Sequence, residues 1–288
     1  MVASSFDYHA PTSVADALAL LDQHGEDAKL LAGGHSLIPL MKTRLSEPSV
    51  LIDLGKISTL SYINEQDGGL AIGALTTYSE IAASALVQSN APVLADASGQ
   101  VADNQVRNRG TIGGSLSHAD PAGDLPAVAL ALGAELKTSS SGAHRTISAD
   151  DFFVDLLTTA LAPNEILSEI AIPALPAGTG TAYVKFANKA SRYAVVGVAA
   201  VVTVGSDGSC QSVRIAITGA GAKATRAAGT EAALVGSNLD DAAIQAAASQ
   251  AGEGIEFNQD VHASAEYRAH LTTVYAGRAI RAAVENAS

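Results

Sequence analysis

The N-terminal part of the chain alternates short apolar runs with amphipathic stretches. Apolar side chains keep helical spacing from Val14 to Leu21, and Gly25 supplies a stop signal, so this stretch is predicted to be a helix. A helical turn is expected at residues 36–43, interrupted by Pro39. Strands are predicted at residues 4–9, 28–32 and 50–54. This alternating order predicts a small parallel α/β lobe.

The middle of the chain mixes strand and helix patterns. Residues 60–65 and 69–74 alternate around Gly68-Gly69 and predict a β-hairpin. Beyond it, helices are predicted at residues 77–85, 92–101 and 121–132, and strands at residues 134–138, 145–148 and 165–172. A glycine-containing loop is expected before the helix at residues 121–132. Prolines and glycines from Pro173 to Gly180 then mark a domain boundary.

The C-terminal part predicts an antiparallel sheet covered by helices. A strong hairpin signal at residues 205–208 joins two of its strands. Strands are expected at residues 181–187, 194–204 and 212–218, and helices at residues 225–235, 239–251 and 264–284. The whole chain is thus expected to be α+β. Its predicted domains are residues 1–176, with lobes at about 1–56 and 57–176, and residues 177–288.

Composition excludes several functional classes. The chain carries 17 Lys and Arg against 29 Asp and Glu, a net charge of -12, which argues against a nucleic-acid binder and a polybasic membrane surface. Cys210 is the single cysteine, so the chain cannot form an internal disulfide, a thiolate zinc site or a cysteine-ligated iron–sulfur cluster. With no secretory signal and no apolar stretch of membrane-spanning length, we expect a cytoplasmic protein.

Two glycine segments carry the candidate chemistry. The first consists of Leu31, Ala32, Gly33, Gly34, His35, Ser36, Leu37 and Ile38, and the second of Thr111, Ile112, Gly113, Gly114 and Ser115. Paired glycines allow close backbone approach to a ligand, and adjacent N–H groups can bind an anion. Either segment alone is most simply a tight turn. Together they favour one pyrophosphate-containing cofactor held between two loops.

Asp124, shortly after the second segment, has two interpretations. Its carboxylate can accept hydrogen bonds from a cofactor hydroxyl group or from backbone N–H groups. It can equally be an acidic residue that stabilises the start of a helix. The sequence leaves both open.

Three other motifs are set aside. The G-A-G-A-K-A run at residues 219–224 resembles a dinucleotide fingerprint, but the acidic residues in range, Asp240 and Asp241, follow no strand. The G-H-S triplet at residues 34–36 lacks the second glycine of a nucleophile elbow. His118 and the neighbouring aspartates come from a single loop, so a metal site is not expected.

The two glycine segments, with D-P-A-G-D-L-P at residues 120–126, resemble the flavin subunits of molybdenum-containing hydroxylases, and most of all the medium subunit of aerobic carbon monoxide dehydrogenases. The likeness begins at residues 5–9 and covers nearly the whole chain. One departure is Ser115, where many relatives have Asn. The resemblance implies a two-lobed FAD-binding domain of the PCMH/VAO type, followed by a domain like the C-terminal domain of carbon monoxide dehydrogenase flavoproteins.

The resemblance also implies a function. Such a subunit binds FAD, receives electrons from two [2Fe–2S] clusters of a small subunit and passes them to a quinone or another acceptor, while a large molybdopterin subunit oxidises substrate. A dimer of heterotrimers, peripheral at the inner face of the membrane, is implied. By resemblance, Tyr193 lies beside the isoalloxazine ring, Lys185 offers charge to the pyrophosphate and Asp124 contacts the cofactor. The alternatives are a core tyrosine and a solvated lysine.

Other functions remain open at this point. The chain could be a stand-alone FAD oxidoreductase, or a module that bridges subunits without a flavin. Carbon monoxide is the favoured substrate of the complex, and nicotine-like compounds, N-heterocycles and purines are alternatives. No residue of this chain is expected to act as a substrate acid or base, or to bind a metal.

Overall fold

A computed structural model describes residues 2–287 and shows the predicted α+β arrangement. The N-terminal lobe is a three-stranded sheet of order β1-β3-β2, parallel throughout, as predicted. Its elements are β1 (Asp7–His9), α1 (Val14–His24), β2 (Ala28–Leu31), α2 (Leu37–Thr43) and β3 (Val50–Asp53). Ser13 caps α1, and the N–H of Gly25 bonds to the carbonyl of Leu21, which confirms the predicted helix.

Pro39 does not interrupt α2, contrary to the prediction. It is the third residue of that helix, where backbone N–H groups have no intrahelical acceptor. The ring therefore removes no helical hydrogen bond, and α2 continues to Thr43.

The second lobe is built on a five-stranded antiparallel sheet of order β4-β5-β10-β6-β7. The sheet strands are β4 (Ile63–Gln66), β5 (Gly69–Gly73), β6 (Glu135–Ser140), β7 (Ala143–Ser148) and β10 (Ile166–Ile172). A separate hairpin is formed by β8 (Phe153–Asp155) and β9 (Thr158–Thr159). The turn between β4 and β5 consists of Asp67 and Gly68, both with positive φ, rather than of the two glycines.

Seven helices accompany the sheet within the described part of this lobe. They are α3 (Tyr78–Ala83), α4 (Ala85–Asn90), α5 (Pro92–Gln100), α6 (Asn104–Arg107), α7 (Ile112–His118), α8 (Asp124–Leu132) and α9 (Ala149–Phe152). The expected central loop is therefore largely helical, and α7 starts inside the second glycine segment. The helix predicted from residue 121 begins at Asp124, after Gly123.

The C-terminal unit is an antiparallel sheet of order β11-β12-β13-β14 with helices, as predicted. Its strands are β11 (Thr179–Ala187), β12 (Ala194–Val204), β13 (Cys210–Thr218) and β14 (Thr225–Arg226), and its helices are α10 (Ala228–Leu234), α11 (Asp241–Ala248) and α12 (Ala265–Glu285). The helix expected from residue 225 begins later because β14 occupies its first residues.

Helix α8 joins the two larger parts of the molecule. Every residue of α8 is buried, and the helix packs against α5 on one side and β12 and β13 on the other. Tyr183 and Ala199 of the C-terminal sheet belong to the same apolar core as the second lobe. A helix that is apolar all round is stable only when covered on all sides, which accounts for its central position.

None of the helices within residues 2–287 has the length and apolar character needed to cross a bilayer.

Candidate functional site

The two glycine segments meet at a cavity of about 630 Å³ between the lobes. This size lies in the range of small-molecule and cofactor sites. The predicted residues that line the cavity are Ala32, Gly33, Gly34, His35, Ser36, Leu37, Thr111, Gly113, Gly114, Ser115, Asp124 and Tyr193. Leu31, Ile38, Ile112 and Lys185 do not line it.

The glycines let the two segments touch each other. A Cβ on Gly33 would lie 2.1 Å from the carbonyl oxygen of Arg109, just before the second segment. A Cβ on Gly113 would lie 2.5 Å from the Cβ of Ala74 at the end of β5. The close approach that these two glycines permit is therefore between backbone segments. Gly34 is needed for a different reason, because its φ of 76° is left-handed.

Free backbone donors are concentrated in the first segment. No acceptor within residues 2–287 bonds to the backbone N–H groups of residues 33–37, just before and at the start of α2. These residues are partly or fully exposed, so their N–H groups are accessible, and a run of adjacent N–H groups at a helix start suits an anion. This segment fits the diphosphate expected from the sequence.

The second segment offers its donors to the protein instead. The N–H of Ile112 bonds to the carbonyl of Thr76 at 3.0 Å, and that of Gly113 to the carbonyl of Ala74 at 2.9 Å. The N–H of Gly114 bonds to Oγ1 of Thr111, the N-cap of α7, at 3.1 Å. Within residues 2–287, the N–H groups of the first segment are therefore left for the expected anion, whereas those of Ile112, Gly113 and Gly114 are already bonded to the protein. The second glycine segment forms part of the cavity wall.

Asp124 is the first residue of α8 and a member of a buried polar cluster. Its carboxylate accepts hydrogen bonds from the hydroxyl of Tyr183 and from Nζ of Lys185, whose distance to each carboxylate oxygen is 3.0 Å. Both charged side chains are only 5% exposed. Burial raises the pKa of Asp124, and the Lys185 charge opposes that rise. The helix-start interpretation is correct for the position, while the carboxylate also borders the cavity.

Lys185 is neither a solvated lysine nor a residue of the cavity wall. Besides Asp124, its ammonium donates to the carbonyl oxygens of Gln100 at 3.1 Å and Arg192 at 2.8 Å. An ammonium has three hydrogens, and all are used by these acceptors. The expected contact between Lys185 and a pyrophosphate has no place in this arrangement. The residue instead ties α5, α8 and the loop before Tyr193 together.

Tyr193 stands at the mouth of the cavity. It lines the cavity, yet 45% of its surface is exposed, so it is not a core tyrosine. Burial, followed by the nearby Asp120 and Asp124 charges, raises the pKa of its phenol. An aromatic ring in this place can cover one face of a planar ligand while remaining accessible from outside.

Tyr78 is a cavity residue that sequence reasoning missed. It follows Thr77, the N-cap of α3, and its ring would lie 2.5 Å from a Cβ on Gly110. Burial raises its pKa to about 12, although the Ser115 hydroxyl acts in the opposite direction. A tyrosine just after a helix N-cap is typical of an ordinary core residue, so no local pattern in the sequence identifies Tyr78 as a cavity residue. The side chain of Ser115 thus lies beside the Tyr78 hydroxyl.

A second charged pair includes another residue of the cavity wall. Glu165 lines the cavity, and its carboxylate accepts two hydrogen bonds of 2.6 Å from the guanidinium of Arg145. These bonds lower the pKa of Glu165. The carboxylate also accepts from the N–H of Ala162 at 2.7 Å. These bonds hold the Glu165 carboxylate in a defined position in the cavity wall. Within residues 2–287, no group of three or more potential ligands is placed to hold a metal ion.

Family comparisons agree with this architecture. Residues 4–175 match the FAD binding domain in molybdopterin dehydrogenase, and residues 181–283 match the CO dehydrogenase flavoprotein C-terminal domain. The two matches together describe an FAD-binding oxidoreductase subunit. The chain belongs to the family of FAD-binding medium subunits of carbon monoxide dehydrogenase and related molybdenum hydroxylases.

Individual relatives span nearly the full length. The chain is 41% identical to the carbon monoxide dehydrogenase medium chain of Hydrogenophaga pseudoflava, over 98% of each chain. It is 40% identical to the alpha subunit of the 6-hydroxypseudooxynicotine dehydrogenase complex of Paenarthrobacter nicotinovorans, over 98% of this chain and 96% of that one. Among solved structures, carbon monoxide dehydrogenase from Hydrogenophaga pseudoflava superposes with a TM-score of 0.97, 42% identity and full coverage of both chains.

Proposed function

We propose that this chain holds FAD in the cavity between its two lobes and transfers electrons within a heteromeric molybdenum hydroxylase. Electrons arrive from the [2Fe–2S] clusters of a small subunit and leave to an external acceptor such as a quinone. The observation that carries the proposal is the run of N–H groups at residues 33–37, which have no acceptor within residues 2–287 and belong to residues that line a cavity of cofactor size. FAD supplies the ability to take electrons singly and hold two.

The residues of the cavity have distinct tasks in this proposal. The N–H groups of residues 33–37 hold the diphosphate, and the hydroxyls of Ser36 and Ser115 border the same space. Tyr78 and Tyr193 contribute aromatic surface for the flavin ring. Asp124 stays bound to Lys185 and keeps α8 in register with the C-terminal sheet. None of these groups has to exchange protons with the substrate of the complex.

The partners are proposed from the relatives. Names of the matched proteins describe subunits of complexes, such as a medium chain and a subunit alpha. We place this chain with a small iron–sulfur subunit and a large molybdopterin subunit, as a dimer of heterotrimers. The complex would lie in the cytoplasm, where a quinone acceptor would bring it to the inner face of the membrane.

The substrate of the complex is proposed to be carbon monoxide. A second candidate is a nicotine-derived compound, favoured by the 40% identity to a 6-hydroxypseudooxynicotine dehydrogenase subunit and to a nicotine 6-hydroxylase subunit, against 41% for a carbon monoxide dehydrogenase. Substrate-contacting residues would belong to the large subunit. The flavin chain can therefore be similarly close to the subunits of a carbon monoxide dehydrogenase, a 6-hydroxypseudooxynicotine dehydrogenase and a nicotine 6-hydroxylase.

The decisive experiment is purification of the native complex through this chain. We expect FAD, iron and molybdenum in the purified material, and dye-linked oxidation of carbon monoxide. Oxidation of nicotine-type substrates instead would select the second candidate. If the isolated chain alone oxidised a small substrate, it would be a stand-alone oxidoreductase, and a colourless chain that cannot be reconstituted with FAD would contradict the whole proposal.

Replacement of Tyr193 by Ala is expected to slow electron passage through the flavin without affecting substrate oxidation. The ring lines the cavity mouth and is 45% exposed, so its removal admits water to the flavin face and shifts its potential. Stopped-flow absorbance of the assembled complex can follow cluster bleaching and flavin reduction separately. Tyr267→Ala, at a similarly exposed tyrosine outside the cavity wall, is the control. If flavin reduction were equally fast in the two variants, Tyr193 would be only a packing residue of the C-terminal sheet.

A further inference from the structure

The β8–β9 hairpin presents a cluster of exposed aliphatic side chains. Val154, Leu156 and Leu157 are 51%, 54% and 50% exposed and lie within one short turn. Hairpin turns are ordinarily polar, and contiguous apolar groups on a surface mark sites of interaction. We call these three residues the hairpin patch.

The turn that carries the patch has an unusual backbone conformation. Leu157 has a φ of 51°, in the left-handed region that glycine and asparagine adopt far more readily than leucine. A turn selected for stability alone would have one of those residues here. Strained non-glycine residues persist where function requires the side chain. Leu157 adopts this conformation while half of its surface is exposed.

Cations on both sides hold the hairpin in place. Nζ of Lys223, from the C-terminal unit, donates to the carbonyl oxygens of Phe153 and Val154, each at 2.9 Å. Nη2 of Arg145 donates to the carbonyl oxygen of Ala160 at 2.7 Å. The patch is therefore presented by a rigid support, which lowers the entropy lost when a partner binds.

The hairpin continues directly into the cavity wall. Thr159, the last residue of β9, lines the cavity, and so do Leu161 and Ala162 shortly after it. A chain bound to the hairpin patch therefore lies beside the space that would hold the flavin. Electron exchange with another chain requires such proximity.

We infer that the hairpin patch is the docking point for the iron–sulfur subunit, an inference that rests on the proposed function. On this inference we expect the occupant to offer an apolar surface to Leu156 and Leu157 and a basic side chain to Asp155. Asp151 and Asp155 are exposed beside the patch, and the chain carries a net charge of -12. A second copy of this chain would bring like charges together, whereas a partner with a basic rim is complementary.

The test is Leu157→Asn combined with Leu156→Ser in the co-expressed complex. Asparagine tolerates the left-handed conformation, so the isolated variant should unfold at the same temperature as the wild type or higher. FAD content should be unchanged because neither residue lines the cavity. Association with the iron–sulfur subunit should weaken roughly tenfold, as for truncation of an apolar anchor. Val261→Ser, at a residue 95% exposed elsewhere, is the matched control.

The outcomes separate this inference from the proposed function. Wild-type affinity for the iron–sulfur subunit in the hairpin variant would overturn the inference, as would an equal loss in Val261→Ser. Loss of self-association alone would assign the patch to a second copy and also overturn it. Absence of FAD from the wild-type complex would instead contradict the proposed function, whatever the hairpin does.

Discussion

Gly33→Ala is expected to abolish stable FAD binding. The new Cβ would meet the carbonyl oxygen of Arg109 at 2.1 Å, a backbone atom that cannot move aside like a flexible side chain. The two glycine segments must separate, and the N–H groups of residues 33–37 lose their alignment. Each lost charge-assisted hydrogen bond costs about 1.5–3 kcal/mol, so misplacement of two donors should lower FAD affinity at least roughly a hundredfold. Isothermal titration of apoprotein with FAD measures the effect.

Gly99→Ala provides the matched control for this substitution. Gly99 lies in α5, and a Cβ there would come no closer than 3.9 Å to the Cβ of Ala82. Alanine is the better helix former, so this variant should retain FAD and be as stable as the wild type. If Gly33→Ala bound FAD with unchanged affinity, the assignment of the diphosphate to the first glycine segment would be wrong.

Lys185→Met is expected to cause the largest loss of stability. The substitution leaves the Asp124 carboxylate buried with Tyr183 as its remaining side-chain donor. Removal of one partner from a buried ion pair costs about 3–5 kcal/mol, because the other charge stays in an apolar environment. Urea denaturation measures the change. Lys189→Met, at an exposed lysine in the loop that follows β11, should change stability little.

The same variant should show a distinctive pH dependence. Burial already raises the pKa of Asp124, while the positive charge of Lys185 lowers it. Removal of that charge must therefore raise the pKa of Asp124 further. The folded state then binds a proton more tightly than the unfolded state. Stability is therefore greatest at acidic pH, where both states are protonated, and falls as pH rises through the two pKa values. Addition of Asp124→Asn should remove this dependence; persistence of the slope would show that another group causes it.

The FAD affinity of the single Asp124→Asn variant shows whether Asp124 also binds the cofactor or acts only within the protein. The carboxylate borders the cavity but already accepts bonds from Tyr183 and Lys185. If it acts only within the protein, thermal stability should fall while FAD affinity stays at the wild-type value. A loss of affinity greater than the loss of stability would mean that it also holds the cofactor.

Several parts of the fold followed directly from local patterns in the sequence. The α1 helix, with its serine cap and Gly25 stop, depends on contacts within a few residues, and so does the hairpin turn after β12. The long buried strand β12 was predicted at its observed bounds because its apolar run is continuous. Errors occurred where tertiary contacts override local signals, as in α7, which begins within a stretch that looked like loop.

The sequence by itself indicated a cofactor site between two glycine segments, and the resemblance of those segments to flavin subunits of molybdenum hydroxylases identified the cofactor as FAD. It also identified most cavity residues, since these lie in two short segments. It could not determine which segment has free N–H groups, because Ala74 and Thr76, which bond to the second segment, are distant in sequence from it.

Only the tertiary structure showed the partners of Lys185, the place of Tyr78 in the cavity wall and the exposure of the hairpin patch. Lys185 lies far from Asp124 along the chain, and the two pair because the Lys185 side chain extends from β11 to the first residue of α8. Tyr78 becomes a cavity residue through contact with Gly110, which no local pattern records. Local sequence encodes backbone preference and burial, whereas the choice of partner for a charge or a ring depends on which distant segments the folded core brings together.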